Sequence, residues 1–301
     1  MPATRDVVLG YNHGYNWNAI APFINSLRDT GFTGEVGLFT SGVSSSAINE
    51  ICSNNVTVIQ SPCQRTKLRK KLAKLWAGLR FLPAQMRLSV LRTICPFGTF
   101  RYFLYAQYLA EYGSAYRKVM LTDIRDVVFQ RNPFDDNLAR GVHLFEEDHR
   151  HTIRSEGSNT AWVQKSYGTE MLNQIGLLPI LCAGTILGDA AATSRFLDHL
   201  CRTIAKSRSI RLSGIDQGIF NVAVRACHYP ELHSHKNGES TVLTMGLMGT
   251  SDILLNDQGY VVRANQEIIP VLHQFDRHPE IAARLRVFRA QRPLCEVKIR
   301  P

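Results

Sequence analysis

Several features that would assign a protein class directly are missing from this sequence. It has no run of about 18 consecutive apolar residues, so no membrane-spanning helix is predicted. The first residues lack the charged, apolar and small-residue regions of a secretory signal peptide, so we expect no export. The 7 cysteines form no C-x-x-C pair, which argues against a zinc or redox motif and favours free thiols. Together these absences predict a cytoplasmic protein.

The short motifs of several enzyme classes are also absent. The chain contains neither the P-loop pattern G-x-x-x-x-G-K-[ST] nor a G-x-G-x-x-G fingerprint after its first strand. It likewise lacks the nucleophile elbow G-x-S-x-G and the zinc-protease motif H-E-x-x-H. Kinase, dehydrogenase, hydrolase-elbow and zinc-protease functions are therefore not indicated.

Acidic residues are missing from positions 51–110, and the same stretch carries ten basic residues, which equals the formal net charge of +10. Within it, residues 65–92 alternate cations with apolar residues at helical spacing, and Pro83 predicts a division into two helices. One interpretation is a solvated helix face packed on the core. The functional alternatives are peripheral contact with the inner face of an anionic membrane and nucleic-acid binding. Because the remaining charge is balanced, nucleic acid is not the expected partner.

Apolar runs alternate with helical patterns along the chain. Strands are predicted at 6–11, 35–40, 56–59, 117–121, 141–145 and 181–187, helices at 18–27, 44–52, 99–112, 160–175, 190–207 and 215–227, and short strands at 241–244, 252–255, 260–263 and 270–272. This order predicts an α/β fold with a mostly parallel central sheet flanked by helices. A chain of 301 residues fits a single domain of this class.

Two carboxylates follow an apolar strand near the middle of the chain. Asp123 and Asp126 come directly after the strand, and an apolar Val-Val-Phe resumes at 127–129. Because parallel sheets bind ligands at the carboxyl ends of their strands, both acids are predicted at that edge. Carboxylate oxygens suit Mg²⁺ or Mn²⁺. The alternative is a surface turn in which the acids cap a helix or pair with Arg125.

The sequence Thr-Asp-Ile-Arg-Asp at 122–126, followed by Val-Val-Phe and by Pro-Phe at 133–134, resembles the D-x-D strand of glycosyltransferases with the GT-A fold. It is most similar to a little-characterised branch that carries a T-D-x-R-D variant. Further similarity lies at residues 10–17, 26–34, 182–188, 214–221 and 271–279. The resemblance implies one GT-A, Rossmann-like domain, with a nucleotide-binding half at about 1–140, an acceptor-binding half at about 141–280 and a basic tail at 281–301.

The resemblance also implies the residues of the site. The metal would be held by Asp123, Asp126 and His273, and the D-x-x-D spacing leaves open which acid is the direct ligand. The donor would contact Tyr11, Asn12, Asn16, Arg101, Tyr105, Asp123, Gly184 and Thr185. Asp216 and Gln217 would face the reacting carbon and imply retention of configuration. The alternatives are a helix-capping loop at 11–16, a core histidine at 273 and an acid stabilised by the helix macrodipole at 216.

The sequence therefore predicts an enzyme that moves a hexosyl or pentosyl group, with Mn²⁺ or Mg²⁺, from a nucleotide-diphosphate sugar to a hydroxyl of a glycan or lipid-linked acceptor, as in polysaccharide biosynthesis. Acceptor hydroxyls would meet the acidic run 146–148, with Asn159 and Trp162 nearby, since an indole face suits a sugar ring. The alternatives are a metal-dependent nucleotidyltransferase and a non-enzymatic nucleic-acid-binding protein that uses residues 65–92.

Overall fold

Short apolar segments build a central sheet in the computed structural model, which describes residues 5–61, 76–79, 81–94, 97–210, 212–226, 229 and 231–289. The described strands are β1 Arg5–His13, β2 Glu35–Ser41, β3 Thr57–Gln60, β4 Tyr116–Thr122, β5 Val127–Phe129, β6 Val142–Glu146, β7 Leu181–Asp189, β8 Leu232–His235, β9 Val242–Thr244 and β10 Val271–His273. Seven of them form one sheet in the order β3-β2-β1-β4-β7-β6-β8, and β5-β10-β9 form a small second sheet.

The central sheet is mostly parallel, which confirms the predicted α/β class. Strands β1, β2, β3 and β4 run parallel, as do β6 and β8. Strand β7 runs antiparallel to both of its neighbours, β4 and β6. One sheet therefore includes strands from both predicted halves of the chain.

Helices cover both faces of this sheet. The described helices are α1 Trp17–Asp29, α2 Ser45–Ser53, α3 Ala84–Ile94, α4 Phe97–Tyr112, α5 Gly157–Tyr167, α6 Thr169–Ile175, α7 Ala190–Lys206, α8 Ile215–Arg225, α9 Pro279–Ala282 and α10 Arg286–Arg289. Helix α1 shows why the segments fold as they do: Asn16 caps its first turn, and Ile20, Phe23, Ile24 and Leu27 recur at helical spacing on its buried face.

Alternate side chains of the central strands enter two different cores. Val7 and Leu9 of β1 join one apolar cluster, which includes Phe196 of α7. Val8 joins a second cluster, which includes Phe23 of α1. Because successive strand residues point to opposite faces, this alternation buries the sheet on both sides. In open α/β sheets, ligands bind outside the carboxyl ends of the strands.

Three element predictions were wrong. The helix at 160–175 is two helices, because Gly168 between them adopts φ 96°, which interrupts a right-handed helix. In place of the strands at 252–255 and 260–263, the structure has a 3₁₀ helix at Thr250–Asp252 and isolated bridges around Val261.

The basic segment is described only in part. Residues 65–75 and Arg80 lie outside the described residues. A 3₁₀ helix at Trp76–Leu79 precedes Pro83, and α3 begins directly after this proline. Trp76 and Arg87 both donate hydrogen bonds to Ser207 O, at 2.9 and 3.0 Å, so this end of the segment is fastened to the end of α7.

Membrane and thiol predictions can be compared with the described residues alone. There, no helix combines the length and apolar character needed to cross a bilayer. Cys52 and Cys182 are free thiols, while Cys63, Cys95, Cys227 and Cys295 fall outside the described part. Of the predicted tail at 281–301, the structure describes residues 281–289, and Leu285 among them is buried.

Candidate active site

A cleft opens where the strand order reverses between β1 and β4, with β2 on the far side of β1. In open α/β sheets, ligands bind at such a reversal, outside the carboxyl ends of the strands. This cleft has a volume of about 460 Å³, a size typical of small-molecule sites. Its wall is formed by Tyr11, Tyr15, Gly98, Thr99, Arg101, residues 123–126 and residues 212–216.

Both predicted metal acids line this cleft. Directly after β4, the Asp123 backbone N–H donates to Gly184 O at 2.8 Å. Ile124 is buried and packs directly over Gly10. Ile124 and Arg125 also form part of the cleft wall, and Asp126 follows them on the same side. The D-x-x-D spacing thus presents two carboxylates on one side, with an apolar anchor between them.

His273 joins the two acids from the second sheet. It ends β10 opposite Val127 of β5, and the next residue, Gln274, donates its backbone N–H to Asp126 O at 2.7 Å. Asp123, Asp126 and His273 each offer one ligand atom, and these atoms lie within 4.8 Å of one another. Such a set of two carboxylates and one imidazole is able to hold a divalent cation.

Gly184 of β7 makes room for this cluster. A Cβ at this position would stand 2.5 Å from His273 Cε1 and 2.7 Å from Asp123 Oδ2. Thr185, the next residue, is fully buried opposite Thr122 in the sheet. Gly184 therefore borders Asp123 and the His273 imidazole directly, whereas Thr185 lies within the sheet.

Arg101 of α4 links the candidate metal acids to the start of α8. Its guanidinium donates to Asp123 Oδ1, and its Nη2 lies 3.1 Å from both Asp216 Oδ2 and Ala183 O. Burial raises the pKa of Asp123, but the charges of Arg101 and His273 together outweigh it, so the net shift is downward. At Asp216 burial is the stronger effect and raises the pKa despite the same charge. The predicted phosphate contact thus engages two carboxylates of the site.

The remaining pKa shifts reflect the same crowding of charges. Burial raises the pKa of Asp126, against the opposing effect of His273. Burial lowers the pKa of His273, but the nearby Cys182 and Asp123 together raise it by more, so the net shift is upward. These shifts are expected when acids and an imidazole face one another across a short gap.

Asp216 and Gln217 occupy the first turn of α8. Gly214 precedes the helix with φ 75°, and a Cβ there would stand 2.3 Å from the Trp162 ring. Asp216 faces the first cleft. The Gln217 side chain points elsewhere and donates to Glu147 Oε1 at 3.0 Å. The two predicted catalytic residues therefore line different clefts.

Gln217 and Glu147 line a second cleft of about 230 Å³. Its other lining residues are Glu156, Ser158, Asn159, Trp162, Gly246, Leu247, Gln274 and Arg277. Burial raises the pKa of Glu147 to about 7, although the hydrogen bond from Gln217 opposes the rise. Within the acidic run, Glu146 pairs with Arg225 and Asp148 with Arg150. Glu147 alone in this run lines the cleft.

The predicted nucleotide contacts near the N-terminus are used by the fold itself. Tyr11 OH lies 2.8 Å from Ser41 Oγ, although the ring also lines the first cleft. The buried Asn12 amide bonds to both backbone polar groups of Tyr15, and Asn16 caps α1. Tyr105 is buried and is not part of the cleft wall. The geometry thus brings Tyr11 to the cleft but gives Asn12 and Asn16 local structural contacts.

Sequence reasoning missed two parts of the site. Cys182 Sγ lies 3.2 Å from His273 Nδ1, a contact between residues 91 positions apart. The start of α4, with Gly98 and Thr99, and residues 212–213 also form part of the cleft wall. Gly98 is the one missed feature with a sequence signal, since glycine at a helix start permits close approach.

Comparison with known proteins gives no assignment. No protein-family model matches the chain, and the search of curated proteins finds no match. The resemblance to GT-A glycosyltransferases therefore stays a prediction, and the geometry of the two clefts is the evidence that bears on function.

Proposed function

We propose that this protein is a metal-dependent glycosyltransferase with a GT-A-like domain, which transfers a sugar from a nucleotide-diphosphate sugar to a hydroxyl acceptor. The observation that carries the proposal is the convergence of Asp123, Asp126 and His273, within 4.8 Å of one another, at the cleft where the strand order reverses. Cavities at this position in α/β folds suit nucleotides.

The residues of the site fit a divalent cation. His273 Nε2 is buried and has no hydrogen-bond partner, while Asp123 Oδ2 lies 3.5 Å away. Gly184 leaves open the space that a side chain would fill. Two carboxylates with one imidazole suit Mn²⁺ or Mg²⁺, with the nitrogen favouring the former. A bound cation would supply positive charge against a leaving diphosphate.

The charges of the first cleft favour a diphosphate only together with a cation. Three carboxylates, Asp123, Asp126 and Asp216, line it against the two guanidinium groups of Arg101 and Arg125. The starts of α4 and α8 also face the cleft, and helix N-termini attract phosphate groups. Without added positive charge, the carboxylates would repel an anionic donor.

The second cleft supports a hydroxyl-rich acceptor. It combines the half-buried Trp162 with the amide side chains of Asn159 and Gln217 and the carboxyl group of Glu147. The two clefts adjoin consecutive residues of α8, because Asp216 lines the first cleft and Gln217 lines the second. This arrangement would bring a donor and an acceptor together at the start of α8. A glycan, free or lipid-linked, is the acceptor class we propose.

Direct binding measurements test the donor part of the proposal. Thermal unfolding would be followed with UDP-, GDP- and CMP-sugars, each with and without Mn²⁺. We expect one nucleotide class to raise the stability of the protein only when Mn²⁺ is present. At a ligand concentration 100 times the dissociation constant, the gain is about 2.7 kcal/mol.

Two variants provide the controls. Asp126→Asn keeps the size of the side chain but should abolish the Mn²⁺-dependent part of the shift. Asp136→Asn changes a carboxylate outside both clefts, one that accepts a hydrogen bond from Thr241, and should leave that shift unchanged. If no sugar nucleotide stabilises the protein with Mn²⁺, the proposal is wrong. Release of pyrophosphate from a nucleoside triphosphate, in the presence of a sugar phosphate, would instead identify a nucleotidyltransferase.

A further inference from the structure

The side of the His273 ring that faces away from the acids contacts a single thiol. Cys182 Sγ lies 3.2 Å from His273 Nδ1, and both residues are 1% exposed. The same sulfur accepts a hydrogen bond from the backbone N–H of Gly184 at 3.4 Å. The thiol therefore lies between the imidazole and the strand segment that borders the candidate metal ligands.

The position of the imidazole proton decides whether the ring is able to bind a cation. A cation binds only the neutral ring, so it must displace the extra proton that the raised pKa of His273 favours. A neutral imidazole carries its proton on one nitrogen and a lone pair on the other. With the proton on Nε2, the N–H would face Asp123 Oδ2, which lies 3.5 Å away, beyond the usual length of a hydrogen bond. With the proton on Nδ1, the ring donates to the Cys182 sulfur, and the Nε2 lone pair faces Asp123 and Asp126.

We infer that Cys182 is a positioning residue, which accepts a hydrogen bond from His273 Nδ1–H and so holds the ring with the Nε2 lone pair directed at the two acids. The unpartnered, buried Nε2 is the second observation in favour of this arrangement. Ligating histidines elsewhere are oriented in the same way, by an acceptor at the other ring nitrogen. The inference rests on the proposed metal-dependent function for its purpose, but not for its geometry.

Two substitutions separate hydrogen bonding from packing. Cys182→Ser keeps an acceptor at this position, whereas Cys182→Ala removes it with little change in volume. Cys52→Ala makes the same chemical change at an exposed thiol on α2 and is the matched control. Cooperative unfolding of each variant in urea would establish that the fold is retained.

The first measurement uses the metal-free protein at a pH high enough to make the His273 ring neutral, because the nearby Cys182 and Asp123 raise the pKa of this ring. Nitrogen-15 NMR of the imidazoles reports which nitrogen carries the proton, and His273→Gln identifies the signal of residue 273 among the ten histidines. We expect the Nδ1–H form in the wild type, in Cys182→Ser and in Cys52→Ala. In Cys182→Ala, the signal should shift towards the Nε2–H form.

The second measurement is the Mn²⁺ dissociation constant, obtained from the electron paramagnetic resonance signal of free Mn²⁺. We expect Cys182→Ala to weaken binding about 10- to 100-fold, Cys182→Ser to remain within about 3-fold of the wild type, and Cys52→Ala to be unchanged. Wild-type affinity together with the Nδ1–H form in Cys182→Ala would overturn the inference. So would equal weakening by serine and alanine.

The two proposals fail separately. If the wild type binds no Mn²⁺ but the ring signal shifts in Cys182→Ala as expected, the positioning role stands and the metal-dependent function is wrong. If Mn²⁺ binds and depends on Asp126 but is insensitive to Cys182→Ala, the function stands and the positioning role is wrong.

Discussion

Replacement of Gly184 by alanine tests the candidate metal cluster with a single methyl group. The new Cβ would stand 2.5 Å from Cε1 and 2.7 Å from Nε2 of His273, and 2.7 Å from Oδ2 of Asp123. Ordinary contacts of a Cβ begin at 3.4 Å, so both side chains would have to retreat by roughly 0.7 to 0.9 Å. Metal–ligand distances tolerate about 0.2 Å. We therefore expect Mn²⁺ affinity to fall by about 100-fold, the upper end of losses seen when ligand orientation is disturbed.

The stability of the variant separates local displacement from unfolding. Overpacking of this kind costs about 1–3 kcal/mol, so Gly184→Ala should still unfold cooperatively in urea. Gly157→Ala is the matched control, because nothing lies within 4 Å of its Cβ and the residue begins α5. It should bind Mn²⁺ like the wild type. A folded Gly184→Ala protein with wild-type Mn²⁺ affinity would refute the placement of the metal beside this strand.

Further predictions concern stability. Burial raises the pKa of Glu147 from 4.5 to about 7. As the pH rises between these values, the carboxyl group ionises in the unfolded chain but not in the folded protein, so the wild type should lose up to about 3 kcal/mol of unfolding free energy. Glu147→Gln should not show this loss. Urea unfolding at pH 5 and pH 8 in metal-free buffer measures the difference. Gly214→Ala should cost roughly 2–4 kcal/mol in the same assay, because φ is 75° and the Trp162 ring lies 2.3 Å from the new Cβ. Trp76→Phe removes the hydrogen bond to Ser207 O and should lower the unfolding free energy by about 1–3 kcal/mol. The thermal midpoint should fall accordingly, and an unchanged midpoint would show that this hydrogen bond is dispensable.

The sequence was most informative where apolar periodicity stops at polar residues. The apolar run before Asp123 predicted a strand, and the structure places both Asp123 and Asp126 in the cleft at its end. The spacing could not reveal how the two acids come to face the same way. Nor could it show that Ile124, between them, packs over Gly10 in the neighbouring strand.

Contacts between distant segments and strand direction lay beyond sequence reasoning. Alternation of residues in β7 is the same whether the strand runs parallel or antiparallel, so its reversed direction was not predicted. Strand β8 was missed because Leu232–His235 carries one aliphatic residue among its four. The break at Gly168 was missed because glycine is also tolerated within helices, and only the backbone angle distinguishes the two cases.

The reversed strand β7 bears on how this protein could be divided or recombined. Residues 118–122 of β4 pair directly with residues 185–189, which follow them by more than 60 positions in the chain. A fragment that stops near residue 140 would leave the β7-facing edge of β4 with unpaired amide and carbonyl groups, and such exposed edges promote aggregation. Exchange of the first 140 residues with those of another protein would therefore succeed only if the replacement also supplied a compatible edge for β7.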